Sequence, residues 1–271
     1  MKESYFIAQF DNKHIGDDGA LIDNKVYSKD AFFQNVHFKA QWMNHYQIAT
    51  KAMMINISDA IAMNAQPKYA LLSVAMPKSI TKEQMRELAS GFKDVASLHD
   101  IEIIGGDTIS NSKLDITITI VSEVEKPLLR VGMRNKHLLA FTGDLGRSKK
   151  DLKRLFNLGI LHKNSKFLNI KLRGKFINAS QRFLSSGMDI SDGLFSDLGK
   201  LSQINKLGYI FNSKLSNEIA CSGEEYEMLI SFDMRHKKTL IRRAQQTRTP
   251  LNIFAQASRV KYSVKCKEHH F

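Results

Sequence analysis

Residues 56–69 read NISDAIAMNAQPKY and carry one acidic side chain, Asp59, in an otherwise apolar stretch. The stretch continues a helical pattern that begins upstream, which predicts a helix over residues 46–63. The residues at helical spacing are Ala49, Ala52, Met53, Ala60 and Ile61. A carboxylate that faces a protein core needs hydrogen bonds or a metal ion. The sequence therefore predicts a core helix on which Asp59 has a polar or metal partner.

Helix and strand patterns follow this segment along the first half of the chain. A second helix is predicted over residues 81–99, where Thr81 and Gln84 fit a capping box and the apolar residues form one stripe. Residues 114–121, LDITITIV, alternate as a half-buried strand does. Residues 124–137 then break the pattern with Pro and Gly, which predicts a domain boundary.

The second half mixes strands and helices in the same way. Strands are predicted at residues 137–143, 209–211 and 224–232, and helices at residues 149–158, from residue 194 onward, and at 238–246. We therefore expect an α/β chain of the α+β type with two domains, residues 1–128 and residues 129–271.

Composition excludes several classes of protein. The chain has 271 residues, 43% of them hydrophobic and 25% charged, which is typical of a globular protein. No run of 18 apolar residues occurs, and the first residues lack the apolar core of a signal peptide. The two cysteines, Cys221 and Cys266, form no CxxC motif, so we expect no disulfide framework, no thiolate zinc site and a cytoplasmic location.

The net charge of +13 is unevenly distributed along the chain. Residues 1–130 carry 14 Lys and Arg against 16 Asp and Glu, whereas residues 131–271 carry 26 against 11. The excess in the second half is compatible with nucleic acid, a membrane surface or a phosphorylated small molecule, and equally with a basic surface of no special function. Since the basic residues show no nucleic-acid-binding spacing, charge alone does not decide the function.

Aspartates in Gly-, Ser- or Asn-containing segments are the features that indicate chemistry. The segments are IGDDGAL (15–21), VYSKDAF (26–32), NISDAIA (56–62), IIGGDTI (103–109) and GMDISDGL (187–194). Each one alone is also a common turn or helix cap. Together they offer the oxygen ligands that Mg²⁺ prefers, beside glycines that let phosphate groups approach the backbone. The chain has no P-loop, no GxGxxG after a strand, and no HExxH or GxSxG motif.

Read in order, these segments resemble those of the thiamine-monophosphate kinases in the aminoimidazole-ribotide-synthetase-like ATP-binding superfamily. The resemblance continues through RVGM (130–133), FTGDLG (141–146), DISDGLFSDLG (189–199) and SGEEYEMLISF (222–232), almost the whole chain. It implies two α/β domains, the first of which dimerises. It also implies transfer of the γ-phosphoryl group of ATP to thiamine monophosphate, in a homodimer without a nucleic-acid or membrane partner.

The resemblance also implies roles for individual residues. The implied Mg²⁺ ligands are Asp17, Ser28, Asp30, Asp59, Asp107, Asp189 and Asp192. The implied ATP contacts are Gly106, Asp107, Arg130 and Ser191, and the implied contacts to thiamine monophosphate are His37 and Glu224. Several Mg²⁺ ions and ATP are the expected cofactor and co-substrate, and no residue is expected to act as a general base.

This chain departs from the family pattern in three places. Lys29 stands where the family has Thr in Ser-Thr-Asp, so an ammonium replaces one oxygen ligand. In the closing segment, His270 and Phe271 are kept, but Glu268 replaces an aromatic residue. The second domain is also shorter than is usual in the family.

Three other functions stay open from the sequence alone. One is a sister enzyme of the same superfamily; the selenophosphate-synthetase-like and hydrogenase-maturation branches are disfavoured because this chain lacks their cysteines. The ribotide synthetase is harder to exclude. The others are a basic nucleic-acid-binding protein and an inactive relative with Lys29 as the lesion.

Overall fold

The computed structural model describes residues 2–264 and Cys266 and contains two five-stranded sheets with helices packed on them. The first half forms α1 (Lys2–Ile7), β1 (Ala20–Ile22), β2 (Lys25–Phe33), α2 (His45–Ala62), β3 (Gln66–Pro77), α3 (Lys82–Leu98), β4 (Glu102–Asn111) and β5 (Asp115–Glu123). Its sheet has the order β1-β2-β5-β3-β4, in which only β3 and β4 are parallel. Helix α3 makes the crossover between these two strands, as parallel pairing requires.

Helices α2 and α3 confirm the sequence predictions to within one residue at each end. Both begin at a capping box, formed by Asn44 with Gln47 and by Thr81 with Gln84. The helices pack on one face of the sheet, where the alternating isoleucines of β5 are fully buried. The other side of this sheet stays exposed, and we call it the open face.

The second half forms β6 (Leu138–Thr142), α4 (Arg147–Phe156), α5 (Gly174–Ser180), β7 (Ser186–Asp189), α6 (Leu194–Asn205), β8 (Gly208–Phe211), α7 (Asn217–Ala220), β9 (Met228–Phe232), α8 (Lys237–Gln246) and β10 (Leu251–Ser258). Short 3-10 turns lie at Gln181–Phe183 and Met234–His236. The sheet has the order β7-β9-β6-β10-β8, and all of its pairs are antiparallel. The mixture of helices and sheets in both halves confirms the expected fold class.

The strand predicted over residues 224–232 was too long, because β9 starts only at Met228. Glu224 and Tyr226 have positive φ values of 54° and 50°, which no extended strand accommodates. This irregular backbone turns Glu224 toward the first half of the chain, while Glu225 and Glu227 are buried in the second.

Residues 124–137 contain no helix or strand, as their Pro- and Gly-containing sequence predicts. The two halves nevertheless share one core, because Phe167 and Ile170 of the second half pack into the hydrophobic cluster of the first. A domain division at residues 128 and 129 stays a prediction.

A disulfide joins Cys221 to Cys266, contrary to the expectation of two reduced cysteines. The two cysteines are 45 positions apart, and nothing in the sequence indicated that they pair. The chain after β10 returns along α6, where the Tyr262 hydroxyl donates to the Phe195 carbonyl, and so brings Cys266 beside the end of α7. Among residues 2–264, no helix is long and apolar enough to cross a membrane.

Candidate active site

A cavity of about 290 Å³ lies where the two halves of the chain meet, and polar side chains dominate its lining. Asp17 and Asp18 come from the loop before β1, Asp30 from β2 and Asp59 from α2. The second half adds Asp189 at the end of β7, followed by Ser191 and Asp192. The other residues that line the cavity are Lys29, Ala31, His37, Ile55, Arg130, Lys200, Glu224 and Tyr226. The fold thus gathers into one cavity aspartates that are up to 175 residues apart in sequence.

Three of these carboxylates, Asp18, Asp59 and Asp189, form an acidic triad whose nearest oxygens all lie within 4.8 Å of one another. Burial raises the pKa of all three, and the neighbouring carboxylates raise it further. One oxygen of Asp18 is buried without a hydrogen-bond partner among the described residues. Three carboxylates held this close favour a bound divalent cation, which would relieve their mutual repulsion.

The NISD segment explains how α2 positions this triad. The Asn56 side chain accepts a hydrogen bond from the Asp30 backbone N–H at 2.8 Å and donates to the Ala52 carbonyl. The Ser58 hydroxyl donates to Asp189 at 2.6 Å, which opposes the increase in the pKa of Asp189. These two polar side chains are buried and tie α2 to β2 and to β7. Sequence reasoning had assigned a function only to Asp59 in this segment.

Two cations balance part of the negative charge. The Arg130 guanidinium pairs with Asp18, and its backbone N–H donates to Asp17 at 2.6 Å. Although burial alone would lower the pKa of Arg130, the surrounding carboxylates raise it, so this residue stays charged.

Lys200 of α6 bridges Asp192 at 2.7 Å and Asp197 at 2.9 Å. Burial raises the pKa of Asp197 to about 6 even though Lys200 opposes the shift. Lys200 was not predicted to be a site residue, although its place three residues after Asp197 in a helix indicates an ion pair.

His37 and Glu224 line the same cavity. The Nδ1 of His37 accepts a hydrogen bond from the Phe33 backbone N–H at 3.0 Å, so the ring is fixed against β2. Glu224 pairs with Lys51 at 2.7 Å, and its backbone N–H donates to the Ser191 carbonyl.

Comparisons with known proteins show which family this chain and its fold resemble. Residues 16–124 match the family model "AIR synthase related protein, N-terminal domain". A thiamine-monophosphate kinase from Buchnera aphidicola subsp. Schizaphis graminum is 32% identical, over 84% of this chain and 79% of the relative. One from Nitrosopumilus maritimus is 28% identical, over 85% and 80%. A solved structure described as AaThiL complexed with AMPPCP and TMP shares the fold with a TM-score of 0.85, at 22% identity over 96% of this chain and 91% of that one.

The chain belongs to the thiamine-monophosphate kinase family.

Not every residue implied by the family pattern lines the cavity. Ser28 is buried, and its hydroxyl donates to the Asn56 carbonyl at 3.3 Å. Gly106 and Asp107 lie on β4, an edge strand. Strand β2 carries Asp30, which lines the cavity together with the triad. Since β5 and β3 separate β4 from β2, these two strands are about 14 Å apart at the usual strand spacing. Within one chain, Asp107 therefore stays apart from the acidic triad.

Two departures from the family pattern have different outcomes. Lys29 borders the cavity with an exposed side chain, so an ammonium does stand at the edge of the site. Glu268, His270 and Phe271 lie outside the described residues, and their expected role stays a prediction.

Asp18 belongs to the triad, although the family resemblance did not imply it as a metal ligand. Of the adjacent pair in IGDDGAL, Asp17 was the implied ligand, yet Asp18 joins Asp59 and Asp189. Asp17 still lines the cavity and accepts the Arg130 N–H. Two neighbouring aspartates in a turn look alike in sequence, and only the fold distinguishes them.

Proposed function

We propose that this protein transfers the γ-phosphoryl group of ATP to thiamine monophosphate and thereby forms thiamine diphosphate. The observation that carries the proposal is the acidic triad beside Arg130, in a cavity formed by both halves of a chain of the thiamine-monophosphate kinase family. The AMPPCP and TMP of the similar AaThiL complex support ATP and thiamine monophosphate as the two substrates.

Several Mg²⁺ ions fit the donor set of the cavity. We propose Asp17, Asp30, Asp59, Asp189 and Asp192 as ligands, together with Asp18, whose buried oxygen lacks a partner among the described residues. Bound Mg²⁺ would neutralise charge on the phosphate groups. The Ser58 hydrogen bond would keep Asp189 oriented for this role, and Arg130 would add a fixed positive charge.

The nucleophile in this proposal is a phosphate oxygen of thiamine monophosphate. A phosphate monoester has a second pKa of about 6, so it is largely ionised at neutral pH and needs no general base. The barrier is the repulsion between two polyanions, which positioning and electrostatic stabilisation overcome. We propose direct in-line transfer without a phosphoenzyme, and a labelled covalent intermediate formed from ATP alone would contradict it.

His37 and Glu224 are the proposed contacts to thiamine monophosphate, and Arg130 and Ser191 are the proposed contacts to ATP. All four line the same cavity, which makes simultaneous binding of the two substrates possible. The enzyme would act in the cytoplasm, where ATP is supplied, with neither nucleic acid nor a membrane as partner.

We further propose a homodimer formed through the open face. The register places Tyr27, Tyr69 and Leu71 on the face opposite the buried isoleucines of β5, and all three are exposed. Asp107 pairs in register with Ser73 and lies on this same open face. An apolar exposed sheet face favours burial against a second copy. Such a copy would bring the partner's Asp107, with the adjacent glycines of β4, to a site that Asp107 does not reach in its own chain.

The first experiment is product formation from ATP, Mg²⁺ and thiamine monophosphate, with free thiamine as the parallel acceptor. We expect thiamine diphosphate from the monophosphate only, and none after addition of EDTA. Mg²⁺-dependent ATP binding without product would instead indicate a sister enzyme or an inactive relative. Binding of nucleic acid that falls steeply with salt, without ATP binding, would indicate the basic binding protein.

A further inference from the structure

Lys51 is a lysine in the core, with 1% of its surface exposed. A buried ammonium is costly unless it is paired and hydrogen-bonded. The family resemblance assigned no role to Lys51, and the proposed transfer of phosphate does not need it. Its place on α2, the helix that also carries Asp59, calls for a physical explanation.

The contacts of Lys51 supply that explanation. Its ammonium lies 2.7 Å from Oε2 of Glu224 and 3.3 Å from the ring centre of Phe167. The ring centre of Phe32 lies 5.7 Å away. Burial lowers the pKa of Lys51, and Glu224 opposes this shift. The ammonium is therefore held between aromatic rings and points at a single carboxylate.

Helix α2 gives the distance between this ion pair and the acidic triad. Lys51, Ile55 and Asp59 follow one another at intervals of four residues, so they lie along one stripe, and the last two line the cavity. Eight residues of helix span about 12 Å. Glu224, the partner of Lys51, and the triad therefore meet this helix about two turns apart, a separation suited to an acceptor with phosphate at one end and hydrogen-bond donors or a cationic ring at the other.

We propose that Lys51 is a positioning residue that holds the Glu224 carboxylate aimed into the cavity, where it recognises the end of the acceptor remote from its phosphate. The proposal rests on the proposed function and deepens it by assigning acceptor specificity to a residue that does not itself touch the acceptor. Glu224 has 27% of its side chain exposed, so it can reach the acceptor, whereas Lys51 cannot.

The test compares Lys51→Met with wild type in steady-state kinetics and in calorimetric binding of thiamine monophosphate. We expect KM and Kd for thiamine monophosphate to rise about tenfold or more, since a charge-assisted contact loses its fixed geometry. KM for ATP and kcat should stay within about twofold, as expected for a contact that is lost equally in the ground state and the transition state.

The matched control is Lys39→Met. Lys39 also lies over aromatic rings, those of Trp42 and Phe156, but within the described part of the chain it forms no ion pair or hydrogen bond with Glu224. The Lys39→Met substitution should leave KM and Kd for thiamine monophosphate unchanged. An equal rise in Lys39→Met would assign the effect to general packing and overturn the proposal.

The double variant separates positioning from stability. Glu224→Gln leaves Lys51 buried without its anion and should lower the melting temperature, and adding Lys51→Met should restore much of it. KM for thiamine monophosphate should stay high in the double variant, no higher than in Glu224→Gln alone. Independent, multiplying effects of the two substitutions on KM would overturn the proposal.

Three further outcomes are decisive. If Lys51→Met does not fold, Lys51→Gln, which keeps a donor to Glu224, should raise KM severalfold, and an unchanged KM would overturn the proposal. Wild-type protein that binds thiamine monophosphate but transfers no phosphate would overturn the proposed function only. Wild-type protein that does not bind it would overturn both.

Discussion

At the scale of single residues, Asp59 shows what an isolated carboxylate in an apolar helix can reveal. The sequence predicted a hydrogen-bond or metal partner for it, and the structure places its carboxylate beside those of Asp18 and Asp189, a group that could hold a metal ion. The residues that hold this arrangement, Asn56 and Ser58, are polar side chains of the same helix. They could not be interpreted in advance, because their hydrogen-bond partners are 26 and 131 residues away in sequence.

Asp59→Asn should lower kcat at least about 100-fold, because it removes one charge from the centre of the acidic triad at nearly constant volume. The measurement is the rate of thiamine diphosphate formation at saturating substrates. Asp23→Asn is the matched control: Asp23 is an exposed turn residue with φ 53°, a conformation that asparagine also adopts. Near-normal turnover in Asp59→Asn would remove the triad from the mechanism.

At the scale of elements, helices and strands defined by local interactions could be predicted from the sequence, and those defined by contacts with distant segments could not. Helices α2 and α3 were predicted to within one residue because their caps and apolar stripes are local signals. The start of β9 was wrong because the positive φ values of Glu224 and Tyr226 depend on contacts with distant segments. Strands β1 to β4, β7 and β10 were not predicted, since the pairing of strands with distant segments gives no local pattern in the sequence.

The exposed edge strand β4 leads to a prediction about assembly. If the partner's Asp107 completes the site, Asp59→Asn and Asp107→Asn homodimers should each be nearly inactive, yet co-expression of the two chains should restore activity. A mixed dimer then holds one site with neither substitution, so a statistical mixture should recover about a quarter of wild-type activity.

The recovered activity differs if the partner's Asp107 does not contribute to the site. If Asp107 serves the site of its own chain, each site in a mixed dimer carries one substitution, and the mixture should stay inactive. Ile109→Lys on the same strand provides a separate check, because a charge on the open face should convert the dimer to a monomer in light scattering. A monomeric wild-type protein would contradict the assembly directly.

At the scale of the whole molecule, the order of the aspartate segments identified the family, but the fold decided their grouping. Five of the seven implied metal ligands line one cavity, while Ser28 is buried behind it and Asp107 lies across the sheet. Lys51 and Lys200 were not singled out in the sequence, and Asp18 was noted there only as part of IGDDGAL. Their roles depend on which distant segments meet, which the composition and periodicity of one sequence do not encode.

The concentration of carboxylates also sets how the stability of the molecule depends on pH. The pKa values of Asp18, Asp59 and Asp189 are raised in the folded state, and that of Asp197 is raised to about 6. Between the pKa of the unfolded chain, about 4, and these higher values, the folded state binds more protons than the unfolded state. The free energy of unfolding therefore decreases as pH rises through this range, by about 3 kcal/mol for Asp197 alone.

Mg²⁺ should reverse this loss, because it binds the ionised carboxylates of the folded state. Under non-reducing conditions, which keep the Cys221–Cys266 disulfide, we expect Mg²⁺ to raise the melting temperature by several degrees at pH 8 and by much less at pH 5. Asp59→Asn should be more stable than wild type at pH 8 without Mg²⁺ and should gain less from its addition, since it removes one of the repelling charges. An equal effect of Mg²⁺ at both pH values, or an equal effect on wild type and Asp59→Asn, would show that the ion binds elsewhere than at the triad.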